Sequence, residues 1–156
     1  IGMAGAKGLS DDPFIRGPYS WQANEQTAGF TTGKPYRAVS GNNSTHHAQL
    51  QKTSPNSFWS FYKDVLALRH SRQSLAKGSY ESAKAQGQVL TYQRKLGQEH
   101  SVVVINYALQ AMPITLDGIE SQSKLNALYS TTGIANWKGA EQTVPAQSVH
   151  VFAVKK

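Results

Sequence analysis

Cysteine is absent from the 156 residues. That excludes a disulfide framework, a thiol nucleophile and any Cys-ligated zinc or iron–sulfur centre, and it leaves the compartment open. Long apolar runs are missing too. No stretch of about 18 apolar residues is available to cross a bilayer as a helix, and the opening Ile1-Gly2-Met3-Ala4-Gly5-Ala6-Lys7 lacks the apolar h-region of a secretion signal. Acidic residues are scarce, 9 against 16 Lys+Arg, giving a formal charge of +7 in a chain of which only 16% is charged. A nucleic-acid surface gathers its cations on one face. Here the longest basic clusters are Arg94-Lys95 and Lys155-Lys156, so neither a nucleic-acid nor a membrane partner is expected. Most of the polarity comes from Ser, Thr, Gln, Asn and Gly, which suits a surface that meets neutral, hydroxyl-rich ligands or simply stays in solution.

A chain of this length buries about two-thirds of the surface exposed when unfolded, enough for one stable body. Opening on Ile1 and reading at once as loop, it has the look of a cut or processed product of something longer. Residues 1 to about 55 carry Gly at 2, 5, 8, 17, 29, 33 and 41 and Pro at 13, 18, 35 and 55. They show no sustained period, which predicts long irregular loop. Loops of that length are functional or held down by a larger body. Phe14, Tyr19, Trp21, Phe30 and Tyr36 in this stretch need something to pack against, which argues against simple disorder.

From Asn56 the pattern changes. Phe58, Phe61, Tyr62, Val65 and Leu68 fall on one stripe and predict an amphipathic helix over about 56–71. Asn56 or Ser57 is placed to cap its start, and Arg69, His70 and Arg72 suit its negative end. Trp59 and Leu66 widen the stripe, and burying each large apolar side chain is worth roughly 1.5–3 kcal/mol, so this face requires cover. After Gly78 the period falls to 2. Runs near 79–85, 89–96, 101–108, 112–117, 125–130 and 148–154 read as strands, with turns at Gly87, Gly97, Gly118, Gly133 and Gly139. Several short strands so spaced predict an antiparallel sandwich.

Catalytic chemistry is hard to find in this sequence. Hydrolysis of a glycosidic bond takes two carboxyl groups about 5–9 Å apart across the bond. Asp11 and Asp12 are adjacent and diverge, and Glu25, Asp64, Glu81, Glu99, Asp117, Glu120 and Glu141 are scattered. Asp11 or Asp12 reads as a loop-stabilising acceptor or a partner for Arg16. His46 and His47 diverge and have no partner at metal-ligand spacing, so they read as surface loop histidines, and no metal or cofactor is expected. There is no Gly-x-Ser-x-Gly elbow and no glycine pattern that would cradle phosphate.

Particular strings carry a resemblance. These are Ile1-Gly2-Met3, Arg16-Gly17-Pro18-Tyr19-Ser20-Trp21, Ala28-Gly29-Phe30-Thr31-Thr32-Gly33-Lys34-Pro35-Tyr36, and the helix from Ser57 to Arg69, followed by Gly78-Ser79-Tyr80. In this order the chain resembles the C-terminal third of an α-amylase-type enzyme of glycoside hydrolase family 13, in its α-glucosidase and oligo-1,6-glucosidase branch. The resemblance implies a mainly β chain. Residues 1–77 would be the end of a (β/α)8 barrel, namely the loop after its eighth strand and its last helix, and 78–156 the C-terminal antiparallel β-sandwich, domain C. It also implies that the catalytic carboxylates lie upstream of this chain. The partners it implies are the remainder of the barrel and an α-glucan or oligosaccharide bound by the complete enzyme. Active sites of such barrels are built from loops at one face, so Arg16, in the family's Arg-x-Pro-x-x-Trp element, is a candidate for touching substrate or shaping the entrance, or else for pinning the loop to Asp11 or Asp12. Trp21 is a candidate for stacking on a sugar ring or anchoring the loop. Tyr19, Ser20, Gln22 and Tyr36 depart from the residues the family often has there, so the linkage cleaved stays open. Two other readings are a free-standing glycan-binding sandwich, with Trp137 as its candidate contact, and a weaker one, a scaffold docking an acidic or nucleic-acid partner.

Overall fold

The computed structural model describes residues 2–6 and 8–155. Ile1 of the opening string and Lys156 of the terminal basic pair lie outside the described residues. The chain divides into two compact units, Ile1–Asp64 and Val65–Lys156.

The second unit begins with tight hairpins. β1 (Ser79–Gln86), β2 (Val89–Leu96) and β3 (Glu99–Asn106) are joined by two-residue turns, Gly87-Gln88 and Gly97-Gln98. Gly87 (φ 60°) and Gly97 (φ 56°) stand at the first central position, where a turn matching the strand twist needs positive φ. Then follow β4 (Met112–Thr115), β5 (Lys124–Ser130), β6 (Asn136–Lys138), β7 (Glu141–Val144) and β8 (Ser148–Lys155). One sheet runs in the order β1-β2-β3-β8-β5-β6 and a second pairs β4 with β7, all antiparallel. The mainly β, antiparallel architecture expected for this half is therefore present. The short strands β6 and β7 go beyond the sequence reading, because three or four residues are too few to display a period of 2.

The inward face of the large sheet packs on the small one through Val89, Val102, Val104, Ile114, Leu116, Leu125, Val144 and Phe152. Trp137 is partly buried and packs against this core. Its ring stacks on Phe152 at 4.4 Å and 30° and lies 5.5 Å from His150, so it is not an outward aromatic offered to a glycan. His150 is fully buried between the hydroxyls of Ser130 (3.0 Å) and Ser148 (2.9 Å), and burial lowers its pKa, keeping it neutral. At one end the Asn106 amide donates to the carbonyls of Gln110, Val144 and Pro145 and accepts from the Ala108 N–H. It joins β3 of one sheet to the end of β7 in the other.

The outward face of the large sheet carries a second cluster, Leu75, Val103 and Val151, with Leu68, Tyr92 and Ile105 against it. Leu75 comes from α4 (Gln73–Lys77), a helix too short to be read from sequence. Glu99 on β3 caps it from outside, its Oε2 accepting the Ser74 N–H at 2.8 Å, while Ser74 Oγ and Ser101 Oγ share a buried bond of 2.8 Å. The hydrogen bond from Ser74, with Arg72 nearby, holds the Glu99 carboxyl below the usual carboxylate range. At the other end Arg69 donates to the carbonyls of Leu75 (2.6 Å) and Ala76 (3.2 Å). Arg69 thus satisfies the C-terminus of the helix after its own. Gly78 lies so close to the carbonyls of Ser74 and Lys95 that a Cβ would collide with both.

In the first unit the stretch expected to be irregular throughout contains α1 (Asp11–Ile15) and α2 (Ala48–Thr53). Helices of five or six residues span less than two turns and show no readable stripe. His47, expected on the surface, is buried. Its Nδ1 accepts the Leu50 N–H at 3.2 Å and caps α2. The predicted amphipathic helix is α3 (Phe58–Ser71), entered through Ser57, whose Oγ accepts the Ser60 N–H. None of its fourteen residues is buried.

Because the folded pKa of Glu99 is depressed, its stabilisation is present above the unfolded carboxylate pKa and lost as pH falls through the folded value. Glu99→Gln is expected to lower the thermal midpoint at pH 7, and the gap to wild type is expected to close in acid. Thermal melts across pH 3–8 check this.

Candidate functional site

Arg16 follows α1 directly, and the placement of α1 is set by a main-chain bond from Ala6 N–H to Phe14 C=O (2.9 Å). The Phe14 ring lies over Gly5, where a Cβ would collide with it. Arg16 Nε donates to Asp12 Oδ1 at 2.7 Å, an i,i+4 pair 69% and 59% exposed. The expected Arg-to-Asp tether is therefore present. Such an exposed pair is worth about 0–1 kcal/mol. It orients the guanidinium without locking it, and the terminal nitrogens make no hydrogen bond among the described residues.

Trp21 lies in a loop closed by its own backbone. Its N–H and that of Gln22 both donate to Ala28 C=O (2.8 and 3.1 Å), and its carbonyl accepts from Gln49 N–H (3.0 Å). Its neighbour Ser20 is fully buried, with its carbonyl bonded to Ala48 N–H on α2. Two asparagines complete the closure. Asn43, 2% exposed, accepts the Asn24 N–H (2.8 Å) and donates to Gln22 C=O (2.9 Å), while Asn24 Oδ1 accepts from Gln26 and Thr27 N–H. A third, Asn42, ties Gly2 and Ala4 to this stretch. These asparagines were not singled out from sequence. An Asn in a Gly-rich stretch signals a turn, but not which distant backbone its amide will reach.

The Trp21 ring leans on Tyr19 at 4.6 Å and is 46% exposed. A rigid indole with one open face can stack on the apolar face of a sugar ring, and a guanidinium offers N–H donors to hydroxyls. Among the described residues no group of three or more His, Asp or Glu side chains could hold a metal ion. Four acids, Asp12, Glu81, Glu99 and Asp117, are engaged with Arg16, Lys95, Arg72 and Lys84.

Residues 3–78 match the family described as Alpha amylase, catalytic domain. Glucan 1,6-alpha-glucosidase of Streptococcus pneumoniae is 28% identical over 66% of this chain and 19% of its own length. Oligo-1,6-glucosidase of Bacillus cereus is 25% identical over 90% of this chain and 25% of its own. Among solved structures, trehalulose synthase MutB from Pseudomonas mesoacidophila MX-45 superposes with a TM-score of 0.78 at 28% identity, covering 91% of this chain and 26% of that one. The chain thus spans about a quarter or less of the relatives it matches.

Asn43→Ala removes its bonds to the Asn24 N–H and the Gln22 C=O and leaves those two groups only their bond to each other (2.9 Å), at a cost on the order of 0.5–1.5 kcal/mol per bond lost. The Asn24 amide is expected to exchange at least about tenfold faster in the variant, measured by hydrogen–deuterium exchange, while amides of the β3 strand stay unchanged.

Proposed function

From the match of residues 3–78 to the α-amylase family, we propose that this chain forms the C-terminal portion of a retaining α-glycosidase. The complete enzyme hydrolyses α-glucosidic bonds in starch-like glucans or oligosaccharides, and its catalytic carboxylates lie outside this chain. Residues 1–77 supply the loop and last helix that end the barrel, and 78–156 the structural sandwich. Arg16 and Trp21 line the way in to the sugar.

The observation that carries this reading is the inverted packing of the first unit. Its buried residues include Ala6, Ala28 and Ala48 with the polar Ser20, Ser40, Asn43, His47 and Gln51, whereas Phe14, Ile15, Trp21, Phe30 and Tyr36 are exposed. Phe58, Tyr62 and Leu66 of α3 are likewise more than half exposed. Apolar side chains in such number are kept by a chain only when another surface covers them. The engagement of four acids in ion pairs further supports placing the chemistry elsewhere. The reading as a free-standing glycan-binding module is less well supported, since its candidate contact Trp137 is partly buried with its ring stacked on Phe152.

In the bound state Arg16 keeps Nε on Asp12 and turns its terminal nitrogens to sugar hydroxyls. Asp12 then acts by holding the guanidinium plane, and Trp21 by stacking. The purified chain is expected to show no turnover of isomaltose or p-nitrophenyl α-glucoside. Joined to an upstream barrel segment that carries paired acids, it is expected to restore hydrolysis. In that assembled enzyme Arg16→Ala is expected to lower kcat/KM by about tenfold or more, the worth of a hydrogen bond to a charged group, with Asp12→Asn weaker. Turnover by the chain alone would overturn the placement of the acids. Unchanged kcat/KM in Arg16→Ala would remove Arg16 from the entrance.

A further inference from the structure

The register of the large sheet places three lysines side by side. Lys124 on β5 is directly opposite Lys138 on β6 and directly opposite Lys155 on β8. Directly paired residues of antiparallel strands project to the same face with Cα atoms about 4.5–5.5 Å apart, so the row is about 10 Å long. Lys124 neighbours Leu125, which faces the core and pairs with Trp137 and Val154. Alternation therefore turns all three lysines to the opposite, outward face, and all three are exposed.

Like charges directly opposite one another destabilise a sheet, so this arrangement calls for a cause. Guarding an edge accounts for Lys138, because β6 is the edge strand, but β5 and β8 are interior. None of the three side chains makes an ion pair or hydrogen bond among the described residues. The acid on the adjoining strand, Glu99 of β3, is already held by Ser74 N–H and lies 3.8 Å from Arg72 Nε. Glu120, in the turn before β5, is bonded by Gln122. The next row toward the sheet centre adds neutral hydrogen-bonding groups, Asn126 opposite Asn136, beside the small Ala153.

We infer that Lys124, Lys138 and Lys155 form a binding site for a compact, multiply charged anion of the phosphate class on the outward face of the sandwich. The ligand supplies the negative charge that the register leaves out, and the asparagine row offers amide donors to its remaining oxygens.

Inorganic phosphate is the probe, titrated calorimetrically into the full chain at low ionic strength. The expected result is saturable binding with a millimolar Kd that weakens severalfold when NaCl is raised to about 150 mM. Lys124→Ser/Lys138→Ser/Lys155→Ser is expected to lose at least tenfold in affinity, without a lower thermal midpoint in the absence of phosphate, because repulsion is relieved. A control of equal charge change, Lys34→Ser/Lys63→Ser/Lys77→Ser, is expected to bind within twofold of wild type. Should the triple variant fail to fold, Lys124→Gln alone serves, with an expected loss of at least threefold. Absence of saturable binding, retention of affinity in the row variant, or equal loss in the control would each overturn the site.

Discussion

The side-chain amides of Asn42 and Asn43 do in the first unit what β ladders do in the second. They join backbone segments some 20 to 40 positions apart, Asn43 reaching Gln22 and Asn24, and Asn42 reaching Gly2 and Ala4. A glycine-rich stretch without large buried side chains has little apolar area with which to offset the entropy of ordering it. Side-chain-to-backbone bonds therefore decide whether the loop bearing Arg16 and Trp21 has one shape or many. The same economy of burial leaves the aromatics of this unit facing outward, where they are available for contact.

The second unit solves the problem conventionally. Its two sheets enclose Phe152, Leu125 and the valines of β2 and β3, and its outward face is sealed in part by α4. That short helix has both ends satisfied by groups outside it, Glu99 at the start and Arg69 at the finish. A helix of five residues cannot stand by itself. Here the charged groups that hold it come from a strand on one side and from α3 on the other. Asn106 and His150 in the sandwich interior are paired in the same spirit. The relatives' likeness to this chain spans both units.

What the sequence determined by itself was whatever rests on period and on local stereochemistry. The stripe of Phe58, Phe61, Tyr62, Val65 and Leu68 announced α3, the alternation after Gly78 announced β1, β2, β3 and β8, and the glycines at 87 and 97 fixed their hairpin turns, because each of these signals is complete within a few neighbouring residues. A pairing of Arg16 with Asp11 or Asp12 was legible because the residues are close neighbours in the chain, and the structure selects Asp12. Only the tertiary structure decided matters that depend on residues far apart in the chain. Trp137 looked like an exposed contact until its ring stacked on Phe152, His47 looked like surface until it capped α2, and Arg69 looked like the end of its own helix until it bonded the last carbonyls of α4. The lysine row arises the same way, since Lys124, Lys138 and Lys155 meet only through strand register, which no local spacing encodes.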